Sequence, residues 1–132
     1  MDLKRITLGF LVLFLTAADV CAQQHSVARR WNEVLLEAIR DDYARPTVHA
    51  RNLFHTSIAL YDSWAVFDPV AEPYMLGKVV HNYDSPFNGI ATPTDVQEAQ
   101  EVAMSYAAYR LLSHRFASSP NVVQIQFRLD TL

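Results

Sequence analysis

The chain has 132 residues, 51% hydrophobic, 11% aromatic and 19% charged, which excludes a disordered or collagen-like polymer and fits one folded unit at most. Its net charge is −3, and with residues 1–22 set aside it is still −3, 9 Lys+Arg standing against 12 Asp+Glu. No basic block occurs, so neither a nucleic-acid partner nor an anionic membrane surface is expected.

Residues 1–22 read as a signal peptide. Lys4 and Arg5 precede an apolar run from Ile6 to Leu15, and Val20, Cys21 and Ala22 stand where a signal peptidase reads small or modest side chains. The run is far shorter than the roughly 20 residues a membrane span needs, so no stable anchor is expected after processing. A lipoprotein signal is disfavoured, because Val20 occupies a place that normally wants a small residue. The mature chain is expected to begin at Gln23 and to be exported, periplasmic or extracellular. Its only cysteine, Cys21, goes with the leader, which removes disulfides and cysteine catalysis from consideration.

Residues 23–132 are expected to form an all-α domain: a partial helical bundle of three long helices and a short C-terminal helix, with a long irregular loop between helices two and three. In the first helix, Ser26 to Asp42, Val27, Trp31, Val34, Leu35 and Ala38 recur at helical spacing. Arg29 and Arg30 can each pair with Glu33, but exposed pairs contribute only about 0.2–0.5 kcal/mol. Burying Trp31, Val34 and Leu35 at about 1.5–3 kcal/mol each outweighs them, so this helix must dock, with the central helix as nearest candidate.

The central helix runs from Arg45 to Trp64. A residue before proline is pushed out of the helical region, while Pro46 itself suits a first turn. Leu53, Phe54, Ile58, Tyr61, Trp64 and Ala65 share one side and are expected to be its buried side. His49, Asn52, His55, Thr56, Asp62 and Ser63 share the other. That polar stripe carries imidazoles, an amide and a carboxylate in place of the Lys and Glu of a solvated face, so it is expected to meet other protein groups.

From Pro69 onward, Pro73, Gly77, Pro86, Gly89 and Pro93 interrupt the chain too often for a regular element, giving a loop of about 25 residues, a length often found in lids, binding loops or surface wraps. Tyr74, Met75, Leu76, Val79 and Val80 can pack down, with His81, Tyr83 and Asp84 as polar tips. The third helix opens near Thr94, with Gln97 completing a capping box, and its Val102 to Leu112 run is apolar nearly all round. It should stop before Ser118, Ser119 and Pro120. Beyond Pro120, Val123, Ile125, Phe127 and Leu129 alternate as in a strand, yet Val122, Ile125, Leu129 and Leu132 also fit one helical face. The lack of any partner strand favours the short helix.

No motif names a reaction. His49 and His55 are six residues apart, not the i, i+4 pair by which a helix binds metal. His55, Asn52 and Asp62 would need ligands from another helix, because a zinc site takes about three or more protein groups; a buried hydrogen-bonded stripe is the favoured reading. GxSxG, P-loop and HExxH patterns are missing from the sequence, which holds 3 glycines. No catalytic, cofactor-binding or metal-ligating residue is assigned.

The string ARRWNEVLLEAIRDDYARPTVHARNLFHTSIALYDSWAVFDP, Ala28 to Pro69, resembles the N-terminal helical region of exported bacterial proteins classed with the vanadium-dependent haloperoxidases, relatives of the type 2 phosphatidic-acid phosphatases. The following loop and the helix through Ser119, Pro120 and Asn121 resemble the same region, so the likeness covers nearly all of residues 23–132. It implies an all-helical bundle in full-length members several times longer than this chain. It also implies peroxide-dependent halide oxidation at vanadate, or phosphate-ester hydrolysis at the same cage. In that family the oxyanion is held by a lysine, arginines, a serine-glycine-histidine segment and a further histidine of the C-terminal half. Those motifs have no counterpart here, and Ser113-His114-Arg115 echoes one only by chance, without the glycine. The expected protein is therefore an N-terminal helical fragment, inactive alone and holding no cofactor, whose partner is the missing C-terminal half. Leu132 ends the chain inside a patterned apolar segment, which suggests truncation. The rival expectation is a self-sufficient exported helical module that binds a partner without catalysis.

Overall fold

The computed structural model describes residues 25–132, so the signal-peptide reading of residues 1–22 and the expected start at Gln23 lie outside the described residues. Four helices and one two-stranded ribbon make up the described part: α1 (Val27–Asp41), α2 (Pro46–Ala65), β1 (Val79–Val80), β2 (Tyr83–Asp84), α3 (Val96–Arg115) and α4 (Val122–Asp130).

Helix α1 begins where Ser26 accepts a hydrogen bond from the Arg29 N–H at 3.3 Å, satisfying one of the amides a helix start leaves without a partner. Trp31, Leu35 and Ala38, one face at i, i+4 and i+7, are buried. Arg29 pairs with Glu33 at 3.0 Å as expected, whereas Arg30 donates to the main-chain oxygen of Leu132 at 3.0 Å. The helix lies chiefly against α3 and α4, which corrects the expectation that it docks on the central helix. Its Trp31 indole N–H donates to Ser105 of α3 at 3.1 Å, and its far end is tied to α4 by the Asp41–Arg128 ion pair and by Asn121, which donates to the Asp41 carbonyl at 2.7 Å.

The apolar core gathers Trp31, Leu35 and Ala38 of α1, Ala108 and Leu112 of α3, Phe116, and Ile125 and Leu129 of α4, with Leu60 of α2 at its edge. The last segment is helical, because Ile125 and Leu129 are one turn apart and both seat in this core. A strand would send successive odd-numbered residues, Ile125, Phe127 and Leu129, to the same side, yet Phe127 is exposed.

Helix α2 packs mainly on α3; its polar stripe is buried, as the favoured reading of that stripe expects, whereas the apolar side expected to be buried is largely not. Its buried residues are His49, Asn52, Thr56, Leu60, Asp62 and Ala65. Phe54 and Tyr61 are 56% and 43% exposed, Leu53 is exposed too, and Ile58 and Trp64 are only half-buried. Of the side expected to be buried, Ala65 alone is fully so. The polar stripe goes inward because nearby backbone groups receive it: Thr56 donates to the Asn52 carbonyl at 2.8 Å, and Asp62 accepts from loop amides.

The loop after α2 is less irregular than expected. Asp68 accepts from the N–H groups of Val70 and Ala71 at 2.9 and 2.8 Å, turning the chain directly after the helix. Val79 pairs with Asp84 and Val80 with Tyr83, and the connecting His81 and Asn82 both have positive φ, 49° and 64°, as a two-residue type I′ hairpin turn requires. Gly77, at φ 74°, leads into the ribbon and donates to Ser85 O at 2.7 Å.

Helix α3 is capped one residue later than expected: the Asp95 carboxylate, not Thr94, accepts from the Glu98 N–H at 3.0 Å. It stops at Arg115, before Ser118, as its sequence suggests. Its middle is not buried all round. Ala108 and Leu112 are buried, while Val102 and Tyr106 stand exposed. No helix among the described residues is long and apolar enough to cross a membrane.

Candidate functional site

The polar stripe of α2 divides into parts with separate partners. His49 lies at the start of the helix, its Nε2 donating to the Tyr43 carbonyl at 2.8 Å, while its buried Nδ1 has no partner among the described residues. Asn52 is 2% exposed, and its side-chain oxygen also lacks a partner. Of the two, only His49 is shown tying α2 to the chain before it, through the Tyr43 carbonyl.

Asp62, 4% exposed, does a different job. One carboxylate oxygen accepts from Tyr74 N–H at 2.5 Å, the other from Met75 and Leu76 N–H at 2.9 and 3.1 Å. Three consecutive amides converging on one carboxylate fix the loop against the helix and offset its negative charge.

His55 turns toward α3, where its Nδ1 accepts a hydrogen bond from the Arg115 guanidinium at 2.5 Å. Burial, then the positive charges of Arg115 and Arg51, push the His55 pKa below its ordinary value, so the imidazole stays neutral. Arg115 has no carboxylate within 4 Å among the described residues, and its buried Nε has no partner. Between α2, α3 and the ribbon loop, His55, Asp62, Met75, Leu76 and Arg115 help line a cavity of about 750 Å³.

The stripe therefore does not act as one site. His55 and Asp62 face the same cavity, while Asn52 and His49 are directed elsewhere into the packing. Among the described residues, no group of three or more His, Cys, Asp or Glu is placed to hold a metal ion. Sequence reasoning did not find Arg115 as the partner of His55, because the two are 60 residues apart and no local signal links them. It also did not find the Asp62 anchor, since the receiving amides lie 12–14 residues downstream in a loop without a periodic signal. With one guanidinium and one neutral imidazole, the cavity can receive a negative charge. It lacks a nucleophile held by a base and an orienting group.

No protein-family model, curated protein or solved structure matches this chain significantly.

Proposed function

We propose that this chain is the non-catalytic, N-terminal helical part of an exported protein of the vanadium-dependent haloperoxidase and type 2 phosphatidic-acid phosphatase kind, a partial helical bundle that packs against the catalytic half. The observation that carries the reading is the outward aromatic side of α2. Leu53, Phe54 and Tyr61 are exposed on a 20-residue helix whose other side buries polar groups. Apolar side chains of this size contribute most when covered, at about 1.5–3 kcal/mol each, so a further layer of protein over α2 accounts for their place. The resemblance of Ala28 to Pro69 names that layer as the catalytic half. Vanadate or phosphate chemistry belongs there, because among the described residues Lys78 pairs with Glu72, and Arg29, Arg40, Arg45 and Arg128 pair with carboxylates.

A second reading, a self-sufficient exported binding module, draws support from the closed core of α1, α3 and α4, in which Leu35, Leu112, Phe116 and Ile125 are buried without help from any further chain. The DNA downstream of Leu132, read in all three frames, separates the two. A serine-glycine-histidine segment with flanking arginines is expected. Its absence, together with vanadate-dependent bromination by this chain alone, would overturn the first reading.

A further inference from the structure

Arg115 occupies the last turn of α3, where the carbonyl end of a helix favours a cation. That accounts for a positive charge at the position but not for its setting. A guanidinium carries five N–H donors, and the described residues give this one a single acceptor, the His55 imidazole. Arg29, Arg40, Arg45 and Arg128 have carboxylate partners; Arg115, like Arg30, Arg51 and Arg110, has none among the described residues. A half-buried cation with no carboxylate within 4 Å is costly, and Arg115 lines the cavity, where the Asp62 carboxylate is already engaged by three loop amides.

The cavity walls say what sort of anion would fit. Ile58, Ala59, Met75, Leu76, Ala107 and Leu111 form an apolar lining. Asp62 is also in the wall, with both oxygens engaged by the three loop amides, and it disfavours any second negative charge on a ligand. The planar guanidinium fork matches a carboxylate. We propose that the cavity between α2, α3 and the ribbon loop binds a small monocarboxylate with an apolar body, its carboxylate on Arg115 and its body against Ile58, Met75 and Leu111. The proposal does not rest on the proposed function, although Ile58 borders the outer side of α2.

The probe is octanoate, with 1-octanol as the uncharged body and inorganic phosphate as the bodiless anion, each titrated into the purified chain while the Ile58 and Met75 methyl signals are followed by NMR. Octanoate is expected to shift both methyls saturably and to bind at least tenfold more tightly than octanol, and phosphate to shift neither. Arg115→Gln should weaken octanoate at least tenfold and leave octanol unchanged. Equal affinity for octanoate and octanol would overturn the proposal, as would shifts confined to the exposed Val123 and Phe127, or displacement of octanoate by phosphate. Unchanged octanoate binding by a folded Arg115→Gln would do the same. Should that variant fail to fold, the comparison of the three probes on the wild-type chain decides alone.

Discussion

The Arg115 guanidinium donates to His55 Nδ1 at 2.5 Å, joining the end of α3 to the middle of α2 across 60 residues of sequence. The bond requires a neutral imidazole, since a protonated ring has no acceptor to offer.

Acidification should therefore loosen the fold. The folded His55 pKa lies below the ordinary histidine value of 6.5, so the unfolded chain binds this proton more readily. The stability tied to this group is present above pH 6.5 and is lost as pH falls through the folded pKa. Urea melts at successive pH values should show a midpoint decreasing below pH 6.5 in the wild type, with that component missing in His55→Gln, which keeps an acceptor for Arg115 but cannot titrate.

Asp62→Asn should detach the loop. The amide retains one acceptor oxygen where the carboxylate offered two, and its NH2 opposes the N–H groups of Met75 and Leu76. Leaving buried donors without partners costs about 1–3 kcal/mol each, so a loss of about 2–4 kcal/mol is expected. Hydrogen exchange at the Tyr74, Met75 and Leu76 amides should accelerate beyond the global effect of the variant.

The two sides of the fold should respond oppositely to truncation. Leu112→Ala opens a hole in the core and should cost about 2–5 kcal/mol, while Phe54→Ala, at a residue 56% exposed, should stay within about 1 kcal/mol of wild type. Thermal melts of the two variants check this. A large loss in Phe54→Ala would mean that α2 is packed by its outer face within the chain itself.

Much of the helix layout was legible because its signals are local. Ser26 ahead of the Trp31, Leu35 and Ala38 stripe, and Pro46 opening α2, act over one or two turns, and both helices start as those residues indicate. That the polar stripe of α2 meets protein groups was legible, but that the apolar side would be left outside was not. An apolar stripe is normally turned inward, and here it is overruled by partners the helix does not contain: the Tyr43 carbonyl for His49, and amides 12–14 residues downstream for Asp62. The ribbon at His81 and Asn82 was missed because strands of two residues carry no period. The candidate site was half legible, since His55 and Asp62 stood out on the polar stripe while Arg115 drew notice only in the chance echo Ser113-His114-Arg115.

The exposed α2 side tests the proposed function most directly. Sedimentation of purified residues 23–132, wild type against the Phe54→Glu, Tyr61→Glu double variant, reports whether that side needs a cover. The wild type should self-associate at micromolar concentration and bind an apolar dye, and the double variant should be monomeric with a melting temperature within a few degrees. A wild-type chain that is monomeric, does not bind the dye and melts cooperatively would contradict a missing catalytic half and leave the self-sufficient module standing.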